Sequence, residues 1–134
     1  MRAARACAWL CIAAIAILSL LPGASIQRSD LGGHAEHVLA YAGTATVFSF
    51  AYRMLGPHRT FLMLTACAAC LEYLQRFSPG RTSSFFDFLY SMAGVALGVA
   101  VFLLGRSVMA AMAARTGSQV KAPAQADTRT GINR

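Results

Sequence analysis

Glu72-Tyr73-Leu74-Gln75-Arg76-Phe77-Ser78-Pro79-Gly80-Arg81-Thr82-Ser83-Ser84-Phe85-Phe86-Asp87 places two carboxylates, two arginines and an amide inside an otherwise apolar chain. An apolar run over residues 61–71 leads into it, and another over residues 88–104 leads away. Between them Ser78-Pro79-Gly80 is a strong turn signal, because proline presets the backbone and glycine accepts a left-handed conformation. The pattern predicts the end of one transmembrane helix, a tight loop and the start of the next. Ionisable groups at such a junction are costly in hydrocarbon, so they mark a candidate functional site.

With 134 residues there is room for one domain, and 57% hydrophobic against 13% charged residues points to the membrane class. A small globule would need more polar side chains to cover itself, whereas a bilayer asks for none across about 30 Å. The net charge of +7 does not point to nucleic acid, since the twelve Lys and Arg residues lie between and beyond the apolar runs, with no basic helix face or aromatic-rich motif. Flanking charge that orients helices and meets anionic lipid accounts for it. Cys7, Cys11, Cys67 and Cys70 fall within apolar helical runs. Although Cys67 and Cys70 have CxxC spacing, no second ligand pair is spaced for zinc, and small buried packing residues are expected. Neither metal nor cofactor is expected.

These features predict an all-α polytopic membrane protein, a small bundle of four transmembrane helices over about 6–21, 35–55, 60–77 and 85–105. The residues before the first span, 1–5, are expected in the cytoplasm, 6–106 form the membrane domain, and 107–134 are a cytoplasmic tail, largely disordered, with helix persisting to about Arg115. The first run carries arginines ahead of it and small residues at Gly23-Ala24-Ser25, as a signal peptide does, but it is expected to be an uncleaved span. At 100° per residue, His37, Tyr41, Thr44 and Phe48 share one face of the second span. Thr65, Ala68, Ala69, Glu72 and Arg76 share a face of the third. Asp87, Ser91, Gly94, Gly98 and Gly105 line a stripe of the fourth that contains a GxxxG packing pair, a route to a homo-oligomer.

With four spans, nine of the twelve Lys and Arg residues fall on the side of the termini and the 53–59 loop, so the positive-inside rule places both termini in the cytoplasm. It follows that His34, Glu36, His37 and Tyr41, then Glu72, Gln75 and Arg76, then Arg81 and Asp87 meet at the outer interface. Simple anchors there would be Trp, Tyr, Lys or Arg, whereas Glu72 sits about one turn inside the span.

His37-Val38-Leu39-Ala40-Tyr41, Glu72-Tyr73-Leu74-Gln75 followed by Pro79-Gly80-Arg81, and Phe85-Phe86-Asp87 leading to Gly94 and Gly98 together resemble the VanZ-like family over residues 30–104. Where that family often carries Asp-Lys before the histidine, Gly33-His34 stands here. The resemblance implies a small bacterial polytopic membrane protein of the cell envelope, from a family whose founding member is associated with resistance to teicoplanin.

Three readings of the polar cluster remain open on sequence. In the first, the protein binds an amphiphile such as a lipid, a lipid-linked wall precursor or a lipoglycopeptide, through His37, Tyr41, Glu72, Gln75, Arg81 and Asp87. Arginine forks match a phosphate or carboxylate headgroup, and the acids accept hydrogen bonds from sugars or amines. In the second, the chain is an enzyme with His37 as general base and Glu72 or Asp87 as partner, although no nucleophile motif, HExxH or phosphate loop supports it. In the third, Arg81 bridges Glu72 and Asp87 as a structural lock. Tyr41 also fits an interfacial anchor, Gln75 interhelical glue, His34 a solvated loop and Arg76 a snorkelling cation.

Overall fold

The computed structural model describes residues 2–22, 33–80 and 84–121, with side chains described as far as 116. The secondary structure of these residues is entirely helical: α1 (Arg2–Leu20), α2 (Gly33–Ala51), α3 (Pro57–Gln75) and α4 (Phe85–Lys121). Two segments, Arg2–Leu20 and Phe85–Thr116, are long and apolar enough to cross a membrane by length and composition. α2 and α3 fall short of that test, because α2 opens on His34, Glu36 and His37 while α3 carries His58, Arg59, Glu72 and Gln75.

The helix boundaries follow from local chemistry. Gly56 takes a φ of 83°, a left-handed conformation that suits glycine, and Pro57 then opens α3, where its missing N–H is no loss. The chain leaves α2 at Ala51 rather than at residue 55, winding down through a bond from the Leu55 N–H to the Tyr52 carbonyl at 2.9 Å. α3 ends at Gln75, and the N–H groups of Arg76, Phe77 and Ser78 each bond three residues back at 3.0–3.2 Å, a tightened final turn before Pro79 and Gly80. The helical reading of α4 to about 115 was short, since α4 runs to Lys121, carried by the helix-forming Ala110, Ala111, Met112, Ala113 and Ala114. The expected disorder of the rest of the tail, the 23–32 loop and the cleavage question at residues 23–25 lie outside the described residues.

The chain divides into two compact units, Met1–Phe102 and Leu103–Arg134. In the second, every described side chain from Leu103 to Thr116 is exposed, and Ser107 and Thr116 return their hydroxyls to the carbonyls four residues back. In the first, Ala8, Tyr41, Ala45, Phe48, Ala51, Leu64, Ala68, Val95 and Val99 form a core in which alanine predominates. Small side chains let the helix axes approach, so this core gains more from close contact than from bulk.

Two links fix which helix ends lie together. The Trp9 indole N–H donates to the Tyr52 hydroxyl at 2.8 Å, tying the start of α1 to the turn after α2. The Ser78 hydroxyl donates to the Leu20 carbonyl at 3.0 Å, tying the end of α1 to the turn after α3. The start of α2, the end of α3 and the start of α4 therefore gather at the Leu20 end.

The closest approach is between α2 and α4. A Cβ at Gly94 would stand 2.5 Å from the Val38 carbonyl oxygen, and one at Gly98 would collide with the Ala42 carbonyl. The Thr46 hydroxyl adds a bond to the Gly98 carbonyl at 3.2 Å alongside its own-helix bond to Ala42 at 2.8 Å. The GxxxG face is thus covered by α2 of the same chain, and an oligomer built on it would have to displace α2. Gly105, placed on the same stripe by periodicity, is exposed with nothing near it.

The cysteines depart from expectation. All four are free, Cys7 and Cys70 are exposed, and Cys11 and Cys67 are only half-buried. They lie on outward sectors of α1 and α3, whose inward sectors are taken by Ala8 and Ser19 and by Thr60, Leu64, Ala68, Leu71, Glu72 and Gln75. That inward sector of α3 is rotated from the predicted one, leaving Ala69 and Arg76 exposed.

Candidate functional site

At the Leu20 end, polar groups from α2, α3 and α4 come together around the first turn of α4. Ser84 is the N-cap of that helix. Its hydroxyl accepts the Phe86 N–H at 3.3 Å, and its carbonyl accepts the Asp87 N–H at 3.0 Å. In the usual capping box an acid at the third helical position, here Asp87, would reach back to the N–H of the cap. Instead that N–H donates to Glu72 Oε1 of α3 at 2.7 Å. Glu72 is 8% exposed, so the carboxylate sits in a largely dehydrated pocket with a charge-assisted bond to the positive end of α4.

Asp87 is thereby spared the capping role and faces α2. Its Oδ1 lies 3.4 Å from His34 Nε2, and this pair is open to the surroundings, with side chains 22% and 59% exposed. The His34 ring also lies over Tyr90, with centroids 4.4 Å apart and planes tilted by 30°. One turn further along both helices, His37 Nδ1 is 3.2 Å from the Ser91 hydroxyl, which itself bonds the Asp87 carbonyl at 2.9 Å. Ser91 donates to the imidazole or accepts from it according to which ring nitrogen carries the proton. Tyr41 lies near Ser91 and Glu72.

The predicted site residues separate into two groups. Tyr41, Glu72 and Gln75 are buried, at 5%, 8% and 3% exposure, so Tyr41 is an interior side chain rather than an interfacial anchor. His34, His37, Glu36 and Asp87 are half-buried or exposed at the rim. Arg76 is exposed and lies over the Tyr73 ring, 5.6 Å from its centroid, on the outer side of α3. Arg81, assigned to the headgroup or to a lock between Glu72 and Asp87, lies outside the described residues. The pairing foreseen for His37 takes a different form: His34 faces Asp87, and His37 meets Ser91.

Ser84 and Ser91 were not among the expected site residues. Ser84 was legible as the start of an S-x-x-D capping signature, and Ser91 lies one turn beyond Asp87 on the same stripe. No family model, no curated protein and no solved structure matches the chain.

Proposed function

We propose that the chain is a four-span integral membrane protein of the VanZ-like type, which receives the headgroup of an amphiphile at the outer interface, against the His34–Asp87 pair. The observation that carries this reading is the release of Asp87 from its capping box. Glu72 takes over the cap, and a carboxylate that would otherwise be consumed by its own helix is left 3.4 Å from an exposed imidazole. A carboxylate beside an imidazole accepts and donates hydrogen bonds, which suits the hydroxyls and amines of a lipid-linked sugar or glycopeptide.

The distribution of side chains supports the membrane part. Leu39, Phe50, Leu62, Met63, Tyr73 and Leu74 are exposed on α2 and α3, while Thr44, Ser49, Thr60, Glu72 and Gln75 are buried. Apolar side chains outside and polar ones inside is the arrangement a bilayer favours, and an average over a whole helix conceals it. Of the most apolar window of α1, only 11% is buried, far less than the core helix of a water-soluble protein would be. Both termini are assigned to the cytoplasm, as the positive-inside rule requires, and a role in the cell envelope follows from the family resemblance.

A second reading has its own observation. The burial of Glu72, Tyr41, Gln75 and Ser91 favours a purely structural lock for that inner group. The two readings divide the cluster between them, with the inner residues holding three helices in register and the rim residues meeting the ligand. An enzyme is disfavoured because Ser91, the hydroxyl nearest His37, is 2% exposed.

Native mass spectrometry of the protein in mild detergent tests the proposal. Wild type should retain a discrete amphiphile mass that Asp87→Asn and His34→Ala lose while remaining folded. Equal retention by wild type and both variants would remove the rim pair from the function.

A further inference from the structure

The opposite end of the bundle carries a second organised cluster. Tyr52, in the turn after α2, stacks on Phe48 with centroids 4.6 Å apart and accepts the Trp9 indole N–H at 2.8 Å. Trp9 in turn meets the Phe48 ring edge-on at 6.4 Å. The Tyr52 ring is therefore held from two sides, and the Arg5 guanidinium lies over it, 5.3 Å from the centroid. The ring face attracts the cation, and a guanidinium brings five N–H donors in a planar fork that fits phosphate oxygens.

Other cations surround this one. Arg2 belongs to the first turn of α1, Arg53 to the turn after α2, and Arg59 to the first turn of α3, and all are exposed. The described carboxylates, Glu36, Glu72 and Asp87, all belong to the Leu20 end, so none offsets the positive charge here. At this end stand apolar side chains with little protein cover: Met54 is 98% exposed, Leu10 69% and Trp9 56%. A free anion would satisfy the arginines and leave these wet, whereas a phospholipid offers phosphate and acyl chain together.

We propose that this end of the bundle binds the phosphate of an anionic lipid, with Arg5, held over the Tyr52 ring, as the central contact and Arg53 and Arg59 flanking it. The site rests on the membrane reading above but is independent of any ligand at His34 and Asp87. Because Tyr52 is itself held by Phe48 and Trp9, Arg5 sits over a fixed ring, and the surface is more than a diffuse attraction.

The test uses the full chain in nanodiscs of phosphatidylcholine alone or mixed with phosphatidylglycerol, with native mass spectrometry of the lipid carried out of them. Wild type should retain phosphatidylglycerol over phosphatidylcholine by about tenfold, the scale expected of two or more arginines at an anionic surface. The combined Arg5→Gln, Arg53→Gln and Arg59→Gln variant should lose that preference, and Arg5→Lys, which keeps the charge without the guanidinium fork, should lose part of it. Asp87→Asn should keep it in full. An undiminished preference in the combined variant overturns the proposal, as does displacement of the bound lipid by inorganic phosphate, which would make the occupant a soluble anion. Release of the chain from membranes by alkaline carbonate would instead bring down the membrane reading itself, and this site with it.

Discussion

Glu72 of α3 accepts the backbone N–H of Ser84 at 2.7 Å, closing from a neighbouring helix a cap that α4 does not complete with its own Asp87. The two residues are twelve apart in sequence. One hydrogen bond thus fixes the exit of α3 to the entry of α4, and determines which carboxylate at this end is structural and which is available.

Replacing Glu72 should separate charge from connectivity. Glu72→Gln keeps an oxygen acceptor and should cost about 1 kcal/mol, whereas Glu72→Ala leaves the Ser84 N–H without that partner and should cost about 2–3 kcal/mol. Equilibrium unfolding in mixed micelles measures both, and equal losses would show that the bond to Ser84 carries none of the effect.

The glycines of α4 should differ by position. Gly94→Ala and Gly98→Ala each drive a methyl group into α2 backbone that cannot yield, with an expected loss of about 1–3 kcal/mol. Gly105→Ala meets nothing within 4 Å and should gain up to about 1 kcal/mol from helix propensity. Thermal melts of the three variants in one detergent make the comparison, and a uniform response would contradict the placement of the seam.

His34→Ala and Asp87→Asn should be nearly silent in the same melts. The pair is open to its surroundings, and such ion pairs contribute less than about 1 kcal/mol. A loss of several kcal/mol from either would return Asp87 to a structural role and leave the proposed headgroup contact without support.

Ser91→Ala should act between these extremes. The hydroxyl joins His37 and the Asp87 carbonyl, and its removal should cost about 1–2 kcal/mol, reflecting bonds lost inside the bundle. Amide hydrogen exchange should report faster opening of the first turns of α2 and α4 and leave the middle of α3 unchanged.

Much of this arrangement was legible in the sequence because it rests on local signals. Pro57 after Gly56, Pro79-Gly80 and the apolar run from Phe85 marked the turns, and a 3.6-residue period placed Tyr41, Thr44 and Phe48 together on the buried side of α2. The inward sector of α3 was misjudged because Thr65, Ala68 and Ala69 are all small, and small residues do not tell which of two adjacent sectors faces the neighbour. The partners inside the site were less legible still. Two histidines three residues apart, His34 and His37, compete for the same helix, and only the axial offset between α2 and α4 decides that the first meets Asp87 and the second Ser91.

Two contacts, Glu72 with Ser84 and α2 with Gly94 and Gly98, join α2 and α3 to a helix made after them. Until α4 has emerged from the ribosome, α2 exposes a bare backbone groove at Val38 and Ala42, and Glu72 lacks its backbone partner. A chain interrupted before Phe85 would present both defects at once. The stability of α2 and α3 therefore depends on α4 having been made.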